Sequence, residues 1–114
     1  MNQKRPTAPV HLSPSTRTWW RAVCDEYTLE PHHLRLLQLA GEAWDRAQDA
    51  RAIIAAEGLI VVDDRKNPRA HPAVVIEKDA RTAFARLVRE LDLDGDTAPV
   101  GPRPPSLRSN RRGA

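Results

Sequence analysis

Glu57-Gly58-Leu59-Ile60-Val61-Val62-Asp63-Asp64-Arg65-Lys66-Asn67-Pro68-Arg69-Ala70-His71-Pro72 is where the chain leaves one helix and enters another. Gly58 can take the left-handed backbone that closes a helix, so it suits the position just past one. Leu59-Ile60-Val61-Val62 is short, rich in β-branched residues and ended by two aspartates, which predicts a strand running into a turn. The polar run 65–69 contains the breaker Asn67-Pro68, so a small β-hairpin or an extended loop is expected there. Pro72 then suits the first position of a new helix, where its missing N–H would be unbonded in any case.

Working upstream, Pro31 to Glu57 reads as one long helix. Leu34, Leu37, Trp44, Ala47 and Ile54 trace one stripe along it, with Ala40 and Gly41 filling the line. Arg51 interrupts a near-heptad spacing, which points to helix packing rather than a dedicated coiled coil. Leu36 and Leu39 make a second face apolar near the start, more than one partner helix requires. Before Pro31, Thr28-Leu29-Glu30 is a short turn. A first helix is predicted from Ser13-Pro14, an N-cap and first-turn pair, to about Tyr27. Trp20, Val23, Cys24 and Tyr27 share one face of it. Downstream, Ile76, Ala80, Ala83, Phe84, Leu87, Val88 and Leu91 give a 3.6-residue stripe from Pro72 to about Leu91. The expected fold is mainly α: a helical hairpin of a short and a long helix, a short strand or hairpin, and a closing C-terminal helix.

The 114 residues suffice for one domain, with residues 13–93 as its core. Residues 1–12 read as a flexible basic arm, and residues 94–114 as a disordered tail rich in proline and arginine. The net charge of +3 is uneven. Residues 1–17 hold Lys4, Arg5 and Arg17 with no acid, and residues 97–114 hold Arg103, Arg108, Arg111 and Arg112 with none. The body between carries +3 − 3 − 4 = −4. A lone Cys24 excludes an internal disulfide and a multi-cysteine zinc site. No apolar run is long enough for a membrane span, and the polar, proline-containing start lacks the apolar stretch of a signal peptide. A cytoplasmic protein is expected.

Catalytic chemistry finds little footing. No glycine-rich phosphate loop is present. Asp63, Asp64, Glu77 and Asp79 could be imagined as metal ligands, but a polar turn and an acidic helix start explain them more simply. His32 and His33 are adjacent, so they point about 100° apart on a helix and do not form a ligand pair. His71 reads as structural rather than catalytic, either a cap for the last helix or a contact to the strand-loop. What remains is phosphate contact by Lys4, Arg5, Arg17 and Arg21 near the first helix, by Arg65, Lys66 and Arg69 in the loop, and by Arg108, Arg111 and Arg112 in the tail. No cofactor and no metal are expected. The first two helices and their short turn could suggest a helix-turn-helix regulator, the competing reading. However, the start of the second helix is leucine-rich where a base reader needs polar side chains. Trp19, Trp20, Leu36, Leu39 and Trp44 are the candidates for contact with other copies, because one thin domain does not easily bury adjacent tryptophans on one side.

In this order, Leu12-Ser13-Pro14 with Trp20, Gly41-Glu42-Ala43-Trp44-Asp45, Glu57-Gly58-Leu59-Ile60-Val61 and His71-Pro72-Ala73-Val74 resemble the small terminase subunits of tailed phages. The likeness covers about residues 12–93. It implies a non-enzymatic homo-oligomer that forms a ring in the infected host cell. It also implies binding to double-stranded viral DNA and delivery of that DNA to a large terminase subunit carrying the ATPase and nuclease.

Overall fold

The structure, a computed structural model, describes residues 6–93. Helix α1 spans Pro14–Glu26, α2 Pro31–Glu57 and α3 Pro72–Leu91, with strands β1 Ile60–Val62 and β2 Pro68–Ala70 between the last two helices. The fold is mainly helical with one small antiparallel sheet, as the sequence predicts. The strands pair Ile60 with Ala70, Val61 with Arg69 and Val62 with Pro68.

α2 and α3 run antiparallel, and small side chains line their seam. Ala40, Ala47 and Ala50 of α2 and Ala73 and Ala80 of α3 are all buried. Small residues let two backbones approach closely. α1 packs differently. Its start lies at Gly41 and Asp45, while a four-residue link joins its end to the start of α2, so α1 runs antiparallel to the first half of α2. Bulky Trp20 and Val23 hold it off, and they join Leu12, Leu37 and Leu91 in the main core.

The tighter helical pair is therefore α2 with α3, not α1 with α2. Since α1 covers only part of α2, the far halves of α2 and α3 form a two-helix arm tipped by the hairpin. The last twelve residues of α2 alone make this arm about 18 Å long at 1.5 Å per residue.

Within residues 6–12, expected as a flexible arm, Ala8 and Leu12 are buried while Pro6, Thr7, Val10 and His11 are exposed, and the Leu12 N–H donates to the Pro9 carbonyl at 3.3 Å. Prolines obscured this, because they remove periodicity without preventing burial. Residues 1–5 and the proposed tail, residues 94–114, lie outside the described residues.

Candidate assembly and nucleic-acid surfaces

Two polar clasps set the geometry of the surface. At the first, Asp45 of α2 sits across the start of α1. Its Oδ2 accepts from the Ser13 backbone N–H at 2.7 Å. Its Oδ1 accepts from the Thr16 hydroxyl at 2.6 Å and the Ser13 hydroxyl at 2.9 Å. A carboxylate there faces the positive end of the helix dipole. Burial disfavours ionisation of Asp45, but the bonds from Thr16 and Ser13 outweigh it and hold the carboxyl below its ordinary value. One turn earlier, Gly41 leaves room for the approach: a Cβ on it would lie 3.1 Å from Thr16 Cγ2 and 3.2 Å from Leu12 Cδ1. Beside it Glu42 meets His11 Nε2 at 2.8 Å and accepts from Gln38 at 3.1 Å.

The second clasp joins the two helix ends across the hairpin. His71 caps α3, its Nδ1 accepting from the Ala73 N–H at 3.0 Å. Its Nε2 lies 2.7 Å from Glu57 Oε1, so the ring donates there. Its backbone N–H donates to the Leu59 carbonyl at 2.7 Å. His33 entered the sequence analysis only as one of two adjacent histidines that do not form a ligand pair. In fact its Nδ1 accepts from the Glu30 N–H at 3.1 Å and so takes the place usually held by Glu or Gln in a capping box.

Two of the four acidic candidates, Asp63 and Glu77, have structural partners. Asp63 Oδ1 accepts from the Asn67 and Arg65 backbone N–H groups, and Oδ2 from Arg69. The Asn67 bond leads these effects in lowering its carboxyl. Glu77 pairs with Arg81 and with Arg51, the residue that broke the heptad. Among the described residues, no three His, Cys, Asp or Glu side chains gather as metal ligands would. Burial, then Asp25, pushes the Cys24 thiol up, away from the reactive thiolate.

The basic candidates fall in two places. Arg17 is half-buried and donates to the carbonyls of Leu12 at 2.6 Å and Val10 at 3.1 Å, while Arg21 one turn on is exposed. Arg65 and Lys66 are exposed at the hairpin tip, and Arg69 is held by Asp63 at 3.2 Å. Lys66 adopts the left-handed conformation, φ 66°, that closes the turn. The arm separates the two groups, so one copy does not gather them into a single patch. Lys4, Arg5, Arg108, Arg111 and Arg112 lie outside the described residues.

The apolar candidates also divide. Trp20 is 3% exposed and belongs to its own chain's core. Leu36 packs against that core, and Trp19 packs on Phe84 with ring centroids 5.9 Å apart. Leu39, 50% exposed, and Trp44, 41% exposed, are the two that present surface. Leu39 lies on the side of α2 away from α1. There Leu39, Ala43, Ile76, Ala83 and Leu87 line a shallow groove rimmed by Glu42, Arg46 and Asp79. The sequence reading missed a further set, Ile53, Leu59, Ile60, Val62, Val75 and Ile76, all exposed on the arm and hairpin. The available signal was the apolar strand itself, because a two-stranded hairpin has no second layer to cover it.

A family model described as phage terminase, small subunit, matches residues 12–98. No curated protein and no solved structure matches the chain. The matched region starts at Leu12, a core residue, and takes in both clasps and every described helix and strand. No helix is long and apolar enough to cross a membrane among the described residues. On that match, over most of its length, the chain belongs to the phage terminase small-subunit family and has its place in phage DNA packaging.

Proposed function

We propose that this protein is a non-catalytic packaging-initiation subunit. It assembles with copies of itself into a ring, binds double-stranded genome DNA, and regulates the large ATPase and nuclease subunit. The observation that carries the reading is the half-covered two-helix unit. The α2–α3 groove and the hairpin expose large apolar side chains that a single copy leaves in water. Contiguous exposed apolar surface of this kind marks an interaction face, and closed symmetry is the usual way for identical faces to be satisfied.

DNA contact is assigned to exposed Arg65 and Lys66, with Arg21 and the basic segments beyond the described residues. Repetition around a ring gathers what one copy keeps apart. Such contact follows phosphates and depends on salt. Helix-turn-helix reading has no geometric support, since Leu34 and Leu37 of the would-be recognition helix pack into the core.

The test is native mass followed by DNA titration at several salt concentrations. A closed species of many subunits with salt-sensitive DNA affinity is expected, and Arg65→Glu with Lys66→Glu should flatten the salt dependence. Each lost phosphate contact lowers the slope by about 0.9. A monomer at every concentration, or affinity indifferent to salt, refutes the proposal.

A further inference from the structure

Trp19, Trp44 and Phe84 meet beside the start of α1, and with Ser15 and Thr16 they wall a cavity of about 340 Å³. The Trp44 and Phe84 ring centroids are 5.1 Å apart, with the rings tilted at 58°. Trp44 is on the α1 side of the α2–α3 pair, away from the Leu39 groove, yet it remains 41% exposed. Among the described residues, the indole N–H groups of Trp19 and Trp44 have no hydrogen-bond partner. An apolar concavity walled by aromatic rings, with free indole donors, has the chemistry that recognises extended proline-rich peptide. Proline rings pack on the aromatic faces, and indole N–H groups bond the peptide carbonyls.

The chain carries such a peptide. Pro99-Val100-Gly101-Pro102-Arg103-Pro104-Pro105 holds four of its ten prolines. It begins six residues after Leu93, which packs against the Leu37 and Trp20 core. Phe84 lies nine residues back from Leu93, about 14 Å at 1.5 Å each. Six extended residues span up to about 20 Å, so the segment reaches the cavity within its own chain. Charge draws the tail to the body in general, because residues 97–114 carry only positive charge while residues 18–96 carry a net −4; the uncharged cavity wall selects the proline run rather than the arginines.

We infer that the aromatic cavity of Trp19, Trp44 and Phe84 is a docking site for the chain's own Pro99–Pro105 segment. The inference is independent of the packaging role. A docked segment covers Trp44 and places Arg103 beside α1, and its release uncovers both the aromatic site and the basic end together.

The test uses the full chain labelled with 5-fluorotryptophan, which gives three fluorine signals assigned by single Trp→Phe variants. The triple variant Pro102→Ala, Pro104→Ala, Pro105→Ala changes none of residues 6–93, and the Trp20 signal reports whether their core is intact. The variant's expected effect is a shift of the Trp44 and Trp19 signals with loss of their solvent protection, while the buried Trp20 signal stays in place. Unchanged Trp44 and Trp19 signals in the triple variant overturn the inference. So does Trp44 exposure that follows dilution and dissociation but ignores the tail substitutions, since a second copy is then the occupant.

Discussion

Asp45 and Ser13 lie 32 residues apart in sequence, yet both carboxylate oxygens of the first are bonded to the second, through its backbone N–H at 2.7 Å and its hydroxyl at 2.9 Å. Ser13 caps α1 locally, and Asp45 caps the cap. The contact converts a local helix signal into a tertiary one, because α1 can start at Ser13 with full satisfaction only when docked on α2.

Asp45→Ala should therefore cost about 2 kcal/mol, since it strands the buried Thr16 hydroxyl and the Ser13 N–H together. The pH dependence follows from the lowered carboxyl. A depressed folded-state value gives stability that is complete above the unfolded value of about 3.9 and is lost as pH falls through the folded one. Chemical denaturation from pH 7 downwards should show wild type losing its advantage over Asp45→Ala only in that acid range. A constant gap down to the lowest pH would count against the carboxylate.

Gly41→Val should loosen α1 selectively. Its Cβ alone lies closer to Thr16 and Leu12 than most side-chain contacts do, so those neighbours must give way, and valine adds two more methyl groups. Overpacking of this kind costs about 1–3 kcal/mol. Hydrogen exchange should show faster opening in α1 while the α2–α3 seam keeps its protection. Uniform loss across all three helices would mean that Gly41 matters to α2 itself.

His71 makes a cap that chemistry can imitate. His71→Ala should destabilise by about 1 kcal/mol through the lost Ala73 bond, and His71→Asn should recover most of it, because asparagine is a strong N-cap. Equal damage from both variants would shift the weight to the Glu57 contact. Thermal unfolding at one fixed protein concentration decides this, as assembly makes the midpoint depend on concentration.

Leu39→Lys and Ile76→Lys test the groove. Both side chains are exposed in the single copy, so each variant should leave the helical content and monomer stability within about 0.5 kcal/mol of wild type. Light scattering should nevertheless show a smaller assembled mass. If the native mass is untouched by both, copies do not meet on this face.

Much of this architecture was legible because its boundaries are written in proline and glycine. Pro14, Pro31 and Pro72 open the three helices, and Gly58 follows the second, each for a backbone reason that acts locally. The seam was legible in part. Ala40 and Ala47 fall on the expected stripe, but alanine carries little hydrophobic signal, so the closeness of α2 and α3 could not be weighed against the bulkier α1 contact. The role of Arg51 required the knowledge that Glu77 lies across the seam. Spacing put Trp20 on the apolar face with Val23, Cys24 and Tyr27, but nothing in the sequence says that Trp19 beside it meets Phe84. Packing of residues 8–12 was hidden for the same reason: nothing local says that Leu12 will meet Gly41.

Because α1 stops short, the far ends of α2 and α3 form a beam fixed at one end. Two helices side by side resist bending within their common plane and yield more readily across it, as a plank does. The hairpin tip therefore has a preferred direction of swing, towards or away from the side where α1 lies. A load placed on Arg65 and Lys66 arrives at the fixed end as a tilt against Asp45 and Gly41. The polar clasp at Ser13 is the bearing on which that tilt would be felt.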